Sequence, residues 1–149
     1  MANYVQVQYD IASPHGIVQR CLGMKCAVSA NNSPNKIPGI ASQSCFSAVT
    51  IYHNDQIELI YGNSRNKVPF SQNGVACVHG ECNAIWEAIH IADGIPTVLE
   101  MYIEMEPCPP CRAFLDNVFP GATPTIYYSF NYPAGVNAWS LAARTLVGN

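Results

Sequence analysis

Charge is what this 149-residue chain has least of: Asp, Glu, Lys and Arg together make up 11% of it, where soluble domains usually carry about 25%. So little charge, beside 49% hydrophobic residues, excludes a solvated, disordered chain and leaves ample material for a core. Basic residues are scarcer still. Arg20, Lys25, Lys36, Arg65, Lys67, Arg112 and Arg144 are the full set, and the formal net charge is -3. This excludes a protein that grips long nucleic acid by its phosphates, so any nucleic-acid contact must be local. No apolar run approaches the ~18 residues of a membrane span, so no membrane partner is expected. The N-terminal MANYVQVQYD has neither a basic nor an apolar signal region; no secretion signal is read, and a cytoplasmic location is expected. A disulfide framework is missing too. Cys21, Cys26, Cys45, Cys77, Cys82, Cys108 and Cys111 are odd in number and irregularly spaced, which fits reduced thiols. The first five read as small buried hydrophobes. There is no internal repeat and no low-complexity tract. The length suits one domain, 1–149, with its core over roughly 44–147.

The pattern that is present alternates strands with helices. Tyr4 to Tyr9 alternates as a short strand, and Ile17 to Ala27 reads as a helix interrupted by Gly23. Ala30 to Gly39 reads as a loop. Cys45 to Tyr52 and Gln56 to Tyr61 are rich in β-formers, and His53-Asn54-Asp55 between them predicts a hairpin. Gly62 to Gly74 reads as a polar loop. Ile85, Ala88, Ile89 and Ala92 mark one face of a helix, stopped by Asp93-Gly94 and Pro96. In the strand Thr97 to Met105, alternation puts Leu99, Met101, Ile103 and Met105 on one face and Glu100, Tyr102 and Glu104 on the other. That polar face is unusual for a sheet covered on both sides. Phe114, Leu115, Val118 and Phe119 mark a second helix, Thr125 to Phe130 a strand, and Val136 to Val147 a last helix. No fifth strand is legible after Val147. The class is α/β, with an antiparallel hairpin at one end of the sheet.

Two segments carry chemistry: His79-Gly80-Glu81-Cys82-Asn83 at the start of the first strong helix, and Pro107-Cys108-Pro109-Pro110-Cys111 between a strand and the next helix. Cysteines three apart at a helix start can turn both sulfurs to one metal ion, and prolines suit a first turn whose N–H groups have no intrahelical partner. His79, Cys108 and Cys111 fill three positions of a tetrahedral Zn²⁺ site and leave the fourth open for water, whose pKa the metal lowers toward ~7. The helix starts put positive potential beneath it. Glu81, two residues past His79, points away from the ligand direction and is free to move protons from the water to the ring nitrogen and the leaving ammonia.

H-x-E followed by P-C-x-x-C resembles the signature of the zinc deaminases of the cytidine-deaminase-like superfamily. The match is tight over Val78 to Leu115. A His in the first position resembles the branch with APOBEC-type, tRNA-adenosine, dCMP and bacterial polymorphic-toxin deaminases; Gly80 stands where Ala or Val is usual. The segment Ile126 to Pro133 with its following helix looks like the APOBEC-type strand, specificity loop and helix. The resemblance implies a three-layer fold with a mixed sheet of four to five strands and flanking helices. It also implies Zn²⁺ as cofactor and, for a toxin-like domain, action in a recipient cytoplasm and an immunity-protein partner.

Other readings weigh less. A thioredoxin-like redox site would leave His79 and Glu81 idle, and Pro124 follows Cys111 too closely for that fold's cis-proline strand. A closed structural zinc site, or a non-enzymatic zinc-stabilised module, would need a fourth ligand such as Cys77 or Cys82. Tyr128, Phe130 and Tyr132 read either as a wall on which a base stacks or as ordinary strand aromatics. Asn131 can read a base edge. Arg65 and Asn66, with Lys67, read as a phosphate and sugar clamp or as a solvated loop; Asn73 is a weaker alternative to Asn66. His15, His53 and His90 read as surface or packing residues. The reading favoured is deamination of cytosine to uracil in nucleic acid, single-stranded DNA above others, by a monomer. The alternatives are a deaminase of free nucleosides, nucleotides or bases, or an adenosine deaminase acting on RNA.

Overall fold

A computed structural model of the chain describes residues 3–30, 44–63, 70–72, 75–77, 83–94, 96–119 and 124–148. Its strands are β1 (Asn3–Gln6), β2 (Phe46–His53), β3 (Gln56–Asn63), β4 (Phe70–Gln72), β5 (Val75–Cys77), β6 (Thr97–Met105) and β7 (Thr125–Phe130). Five of them form the frame, a mixed sheet ordered β1-β7-β6-β2-β3, and β4 with β5 forms a separate two-stranded sheet. Four helices are described: α1 (Gly16–Ala30), α2 (Asn83–Ala92), α3 (Pro109–Val118) and α4 (Val136–Val147). This is the α/β class expected. Among the described residues no helix is long and apolar enough to cross a membrane.

The β2–β3 hairpin closes where it was expected, through Asn54 and Asp55 with φ of 50° and 61°. Two consecutive left-handed residues match the twist of the strands they join, and Asn and Asp tolerate that region better than most side chains. β6 runs antiparallel to β2 and parallel to β7. The fifth strand, not legible after Val147, comes from the other end of the chain: β1 pairs in parallel with β7, Tyr4 opposite Ile126. An Asx turn redirects the chain after it, the Ala12 N–H donating to Asp10 Oδ1 at 2.9 Å. α1 then runs unbroken through Gly23.

Two apolar clusters cover the sheet. Ile17, Val18, Cys21 and Leu22 of α1 meet Phe46, Ala48 and Tyr102. Ile85 and Ala88 of α2 and Phe114, Leu115 and Val118 of α3 meet Val49, Ile51, Met101, Ile103 and Ile126. Helices on both sides of a sheet make the three layers.

The alternation expected along β6 breaks at one point. Thr50 pairs with Glu100 but Ile51 pairs with Val98, so Leu99 is an extra residue in the ladder. This bulge reverses the phase of the strand below it. Val98 joins Met101 in the core and Leu99 is 44% exposed, a correction to the face assigned to Leu99. The 62–74 segment is corrected as well: Gly62 and Asn63 belong to β3, and Phe70–Gln72 pairs antiparallel with Val75–Cys77.

The polar face of β6 is buried because its groups are partnered. Tyr102 Oη lies 2.8 Å from Ser129 Oγ. Glu104, fully buried, accepts the Phe46 N–H at 2.6 Å and the Tyr9 hydroxyl, and pairs with the equally buried Lys25 at 3.0 Å. Lys25 Nζ also donates to Ser44 O at 2.7 Å and sits over the rings of Phe46 and Trp139. Burial raises the pKa of Tyr9 far above the ordinary phenol range, with the Glu104 charge adding to it, and burial raises that of Tyr102 in the same way.

Candidate functional site

The parallel pairing of β6 and β7 brings the two chain segments that follow these strands to the same edge of the sheet. β6 ends at Met105, opposite Phe130 at the end of β7. After β6 come Glu106, Pro107 and the Cys108–Cys111 motif; after β7 comes the segment 131–135 that leads into α4.

Cys108 is the N-cap of α3, with extended backbone (φ -63°, ψ 163°), and prolines fill the first helical positions. Proline is pre-set for a first helical turn and lacks a donor that would go unused there. Cys111 is the third residue of the same first turn. Both cysteines are buried, at 4% and 0% exposure, inside the larger apolar cluster, and neither is in a disulfide. Thiols three residues apart, at a helix start and enclosed by packed side chains, are a fitting pair of donors for a zinc ion.

The first motif ends where the described residues resume. His79 and Glu81 lie outside the described residues, as do Arg65, Asn66, Lys67, Asn73 and Cys82. The backbone on either side of His79 and Glu81 is placed. β5 ends at Cys77 and, with β4, packs against α3. α2 begins at Asn83, and its Ala84, Ile85 and Ala88 share the cluster that holds Cys108 and Cys111. Among the described residues no three His, Cys, Asp or Glu side chains gather as a metal cluster.

Residues 22–127 match the model of the family described as the cytidine and deoxycytidylate deaminase zinc-binding region. The chain belongs to this family. It is therefore a zinc-dependent deaminase, a hydrolase, and its metal is Zn²⁺. No curated protein and no solved structure matches the chain. The family match spans His79, Glu81, Cys108 and Cys111. It stops short of β1 at one end and of Tyr128, Phe130, Asn131 and Tyr132 at the other.

Of those four residues, Tyr128 is half-buried on β7, in register with Ile103. The Phe130 ring packs on the larger cluster and against Tyr9, with ring centres 5.2 Å apart. Asn131 and Tyr132 are exposed, Tyr132 at 45%. Tyr132 borders a groove of about 450 Å³ that Glu106, Pro107, Pro109, Arg112 and Asp116 also line. Pro107 and Pro109, on either side of Cys108, thus share one surface groove with Tyr132, while Cys108 and Cys111 themselves are buried behind it.

Glu106 and Arg112 were not singled out from the sequence. Arg112 lies over the Tyr4 ring, 4.1 Å from its centre, and its Nη1 is 3.5 Å from Glu106 Oε2. At 40% and 23% side-chain exposure this ion pair is worth about 0–1 kcal/mol. Their signal was adjacency alone: Glu106 stands two residues before Cys108 and Arg112 directly after Cys111. The three other histidines fall outside the site. His15 lies against Tyr127 and His90 stacks on Trp86, while His53 ends β2.

Proposed function

We propose that this deaminase converts cytosine to uracil in nucleic acid, with single-stranded DNA as the preferred polymer. The observation that carries the reading is the exposed pair Asn131–Tyr132 beside an open groove lined by Pro107 and Pro109, the neighbours of Cys108. A target base in a polymer enters the zinc pocket while its neighbours lie outside and need a surface. An aromatic ring supports such a neighbour, because stacking is worth about 1–3 kcal/mol per base. A single strand spares the cost of flipping the base out of a duplex. It also suits a chain with seven basic residues.

His79, Cys108 and Cys111 would hold the metal. Zinc, when bound, supplies a water acidified toward ~7. Glu81 carries a proton to N3 of the ring and then to the departing amine, so that cytosine and water leave as uracil and ammonia. Arg65 and Lys67 contact phosphate, and Asn66 a sugar hydroxyl. Such contacts hold every sequence alike.

A second reading, deamination of a free nucleoside or nucleotide, draws on the acidic balance of the chain, net charge -3 and pI about 5.7. Incubation with single-stranded DNA, duplex DNA, RNA and free cytidine separates the two. C-to-T changes in sequenced single-stranded DNA support the polymer; turnover of free cytidine with none of the polymers supports the second reading, and A-to-G changes in RNA would make adenosine the substrate.

A further inference from the structure

One carboxylate meets the exposed segment after β7 at its centre. Glu106 donates its own N–H to Phe130 O at 2.7 Å and accepts the Tyr132 N–H on Oε1 at 3.2 Å. Its other oxygen faces Arg112 on α3 at 3.5 Å. A single side chain therefore ties the backbone of Tyr132 to the helix that carries the zinc cysteines. The far end of the segment is equally determined. Gly135 donates its N–H to Asn131 O at 2.8 Å, and a Cβ at Gly135 would stand 2.7 Å from that oxygen. At its root, Phe130 is backed by Tyr9, whose hydroxyl is anchored on Glu104. The segment is a pre-formed lip, and Glu106 is the side chain that joins its Tyr132 backbone to α3.

We infer that Glu106 is a positioning residue for substrate specificity: its carboxylate fixes Tyr132 relative to the Cys108–Cys111 motif and so sets which neighbouring base is accepted. The inference rests on the polymer reading above. It assigns Glu106 no contact with the reacting atoms. When the carboxylate is lost, the Tyr132 N–H turns to water, Arg112 loses its partner, and the lip samples positions that no longer discriminate among flanking bases. A hydrogen bond of this exposed, charge-assisted kind corresponds to about a 3- to 10-fold effect.

The test uses the full chain with Glu106→Gln and Glu106→Ala. Each variant is offered a single-stranded pool with random bases around one cytosine, and KM and kcat are measured on the best wild-type sequence. Zinc content and thermal melting are read alongside. The expected result is a flanking preference flattened about 3- to 10-fold in Glu106→Ala, carried by a rise in KM rather than a fall in kcat, with Glu106→Gln intermediate and zinc retained in both. Unchanged preference and KM with zinc retained would overturn the inference. So would loss of zinc in both variants, since Glu106 would then support the metal motif and not the lip. If the wild-type protein deaminates no polymer, the proposed function fails by itself, and hydrogen exchange of the Tyr132 amide still decides on Glu106. Exchange about 3- to 10-fold faster in Glu106→Ala upholds the lip's dependence on this carboxylate; an unchanged rate removes it.

Discussion

Replacing Glu104 by Gln tests the interior of this fold at its buried ion pair. Glu104 and Lys25 are both fully buried and 3.0 Å apart. The amide oxygen introduced by Glu104→Gln still accepts from the Phe46 N–H or the Tyr9 hydroxyl, so the side-chain shape and part of the hydrogen bonding survive. What is lost is the counter-charge. Lys25 then keeps the Ser44 carbonyl and the faces of Phe46 and Trp139, and cation–π contacts worth about 0.5–2 kcal/mol do not offset a buried, unpaired ammonium. Breaking a buried pair from one side costs about 3–5 kcal/mol, out of a total stability of roughly 5–15 kcal/mol. At about 2–4 °C per kcal/mol for a chain of this size, the melting temperature should fall by roughly 6–20 °C. Lys25→Met with Glu104→Gln removes both charges and should be more stable than the sum of the single changes predicts, with a coupling of about 2–3 kcal/mol. Urea and thermal unfolding of the four proteins, followed by circular dichroism, make the measurement. A Glu104→Gln protein within about 1 kcal/mol of wild type, or a double variant that is simply additive, would refute the reasoning.

Glu81→Ala should keep its zinc and its fold while turnover falls by ~10²–10⁴-fold or more, because a shuttle and not a ligand is removed; zinc analysis beside an ammonia-release assay checks it, and loss of the metal would make Glu81 a ligand. Alkaline stability should depend on Tyr9, whose pKa burial and the Glu104 charge raise in the folded protein. The unfolded phenol ionises near pH ~10 while the folded one stays neutral, so this contribution is whole below pH ~10 and is lost as pH climbs above it. Tyr9→Phe should therefore flatten the decline of melting temperature with pH above ~10. Gly135→Ala should lower stability by about 1–3 kcal/mol, since the added Cβ must displace the Asn131 backbone; urea unfolding reads the loss, and zinc content should not change.

Residues that act through their nearest neighbours in sequence were legible from the sequence. The i, i+3, i+4 apolar spacing of α2, the stop at Asp93-Gly94, the turn at Asn54-Asp55 and the prolines of α3 all report local backbone chemistry, and each is where the sequence put it. Cys108 and Cys111 were legible as a pair at a helix start, because a three-residue spacing beside prolines is local chemistry. What escaped is long-range or depends on one extra residue. A bulge at Leu99 leaves no mark on an alternating strand. β4 and β5 have three residues each, too short to alternate visibly, although Asn73-Gly74 between them was the available turn signal. The pairing of Lys25 with Glu104 spans 79 positions, so an acidic residue that looked misplaced on a covered strand is in fact partnered. The strand near the N-terminus was legible as a strand, but its place beside β7 was not, because parallel pairing of distant segments has no local signature. Glu106 was missed for the same reason, its partners lying on β7, on the segment after it and on α3.

The central claim is that the two motifs build one zinc centre, and the zinc-to-protein ratio of wild type beside His79→Ala tests it most directly. Two remaining thiols are too few for a stable site. Elemental analysis should find one zinc per chain in the wild-type protein and almost none in His79→Ala. A His79→Ala protein that keeps a full zinc equivalent would contradict the account, because the metal would then be held without the first motif.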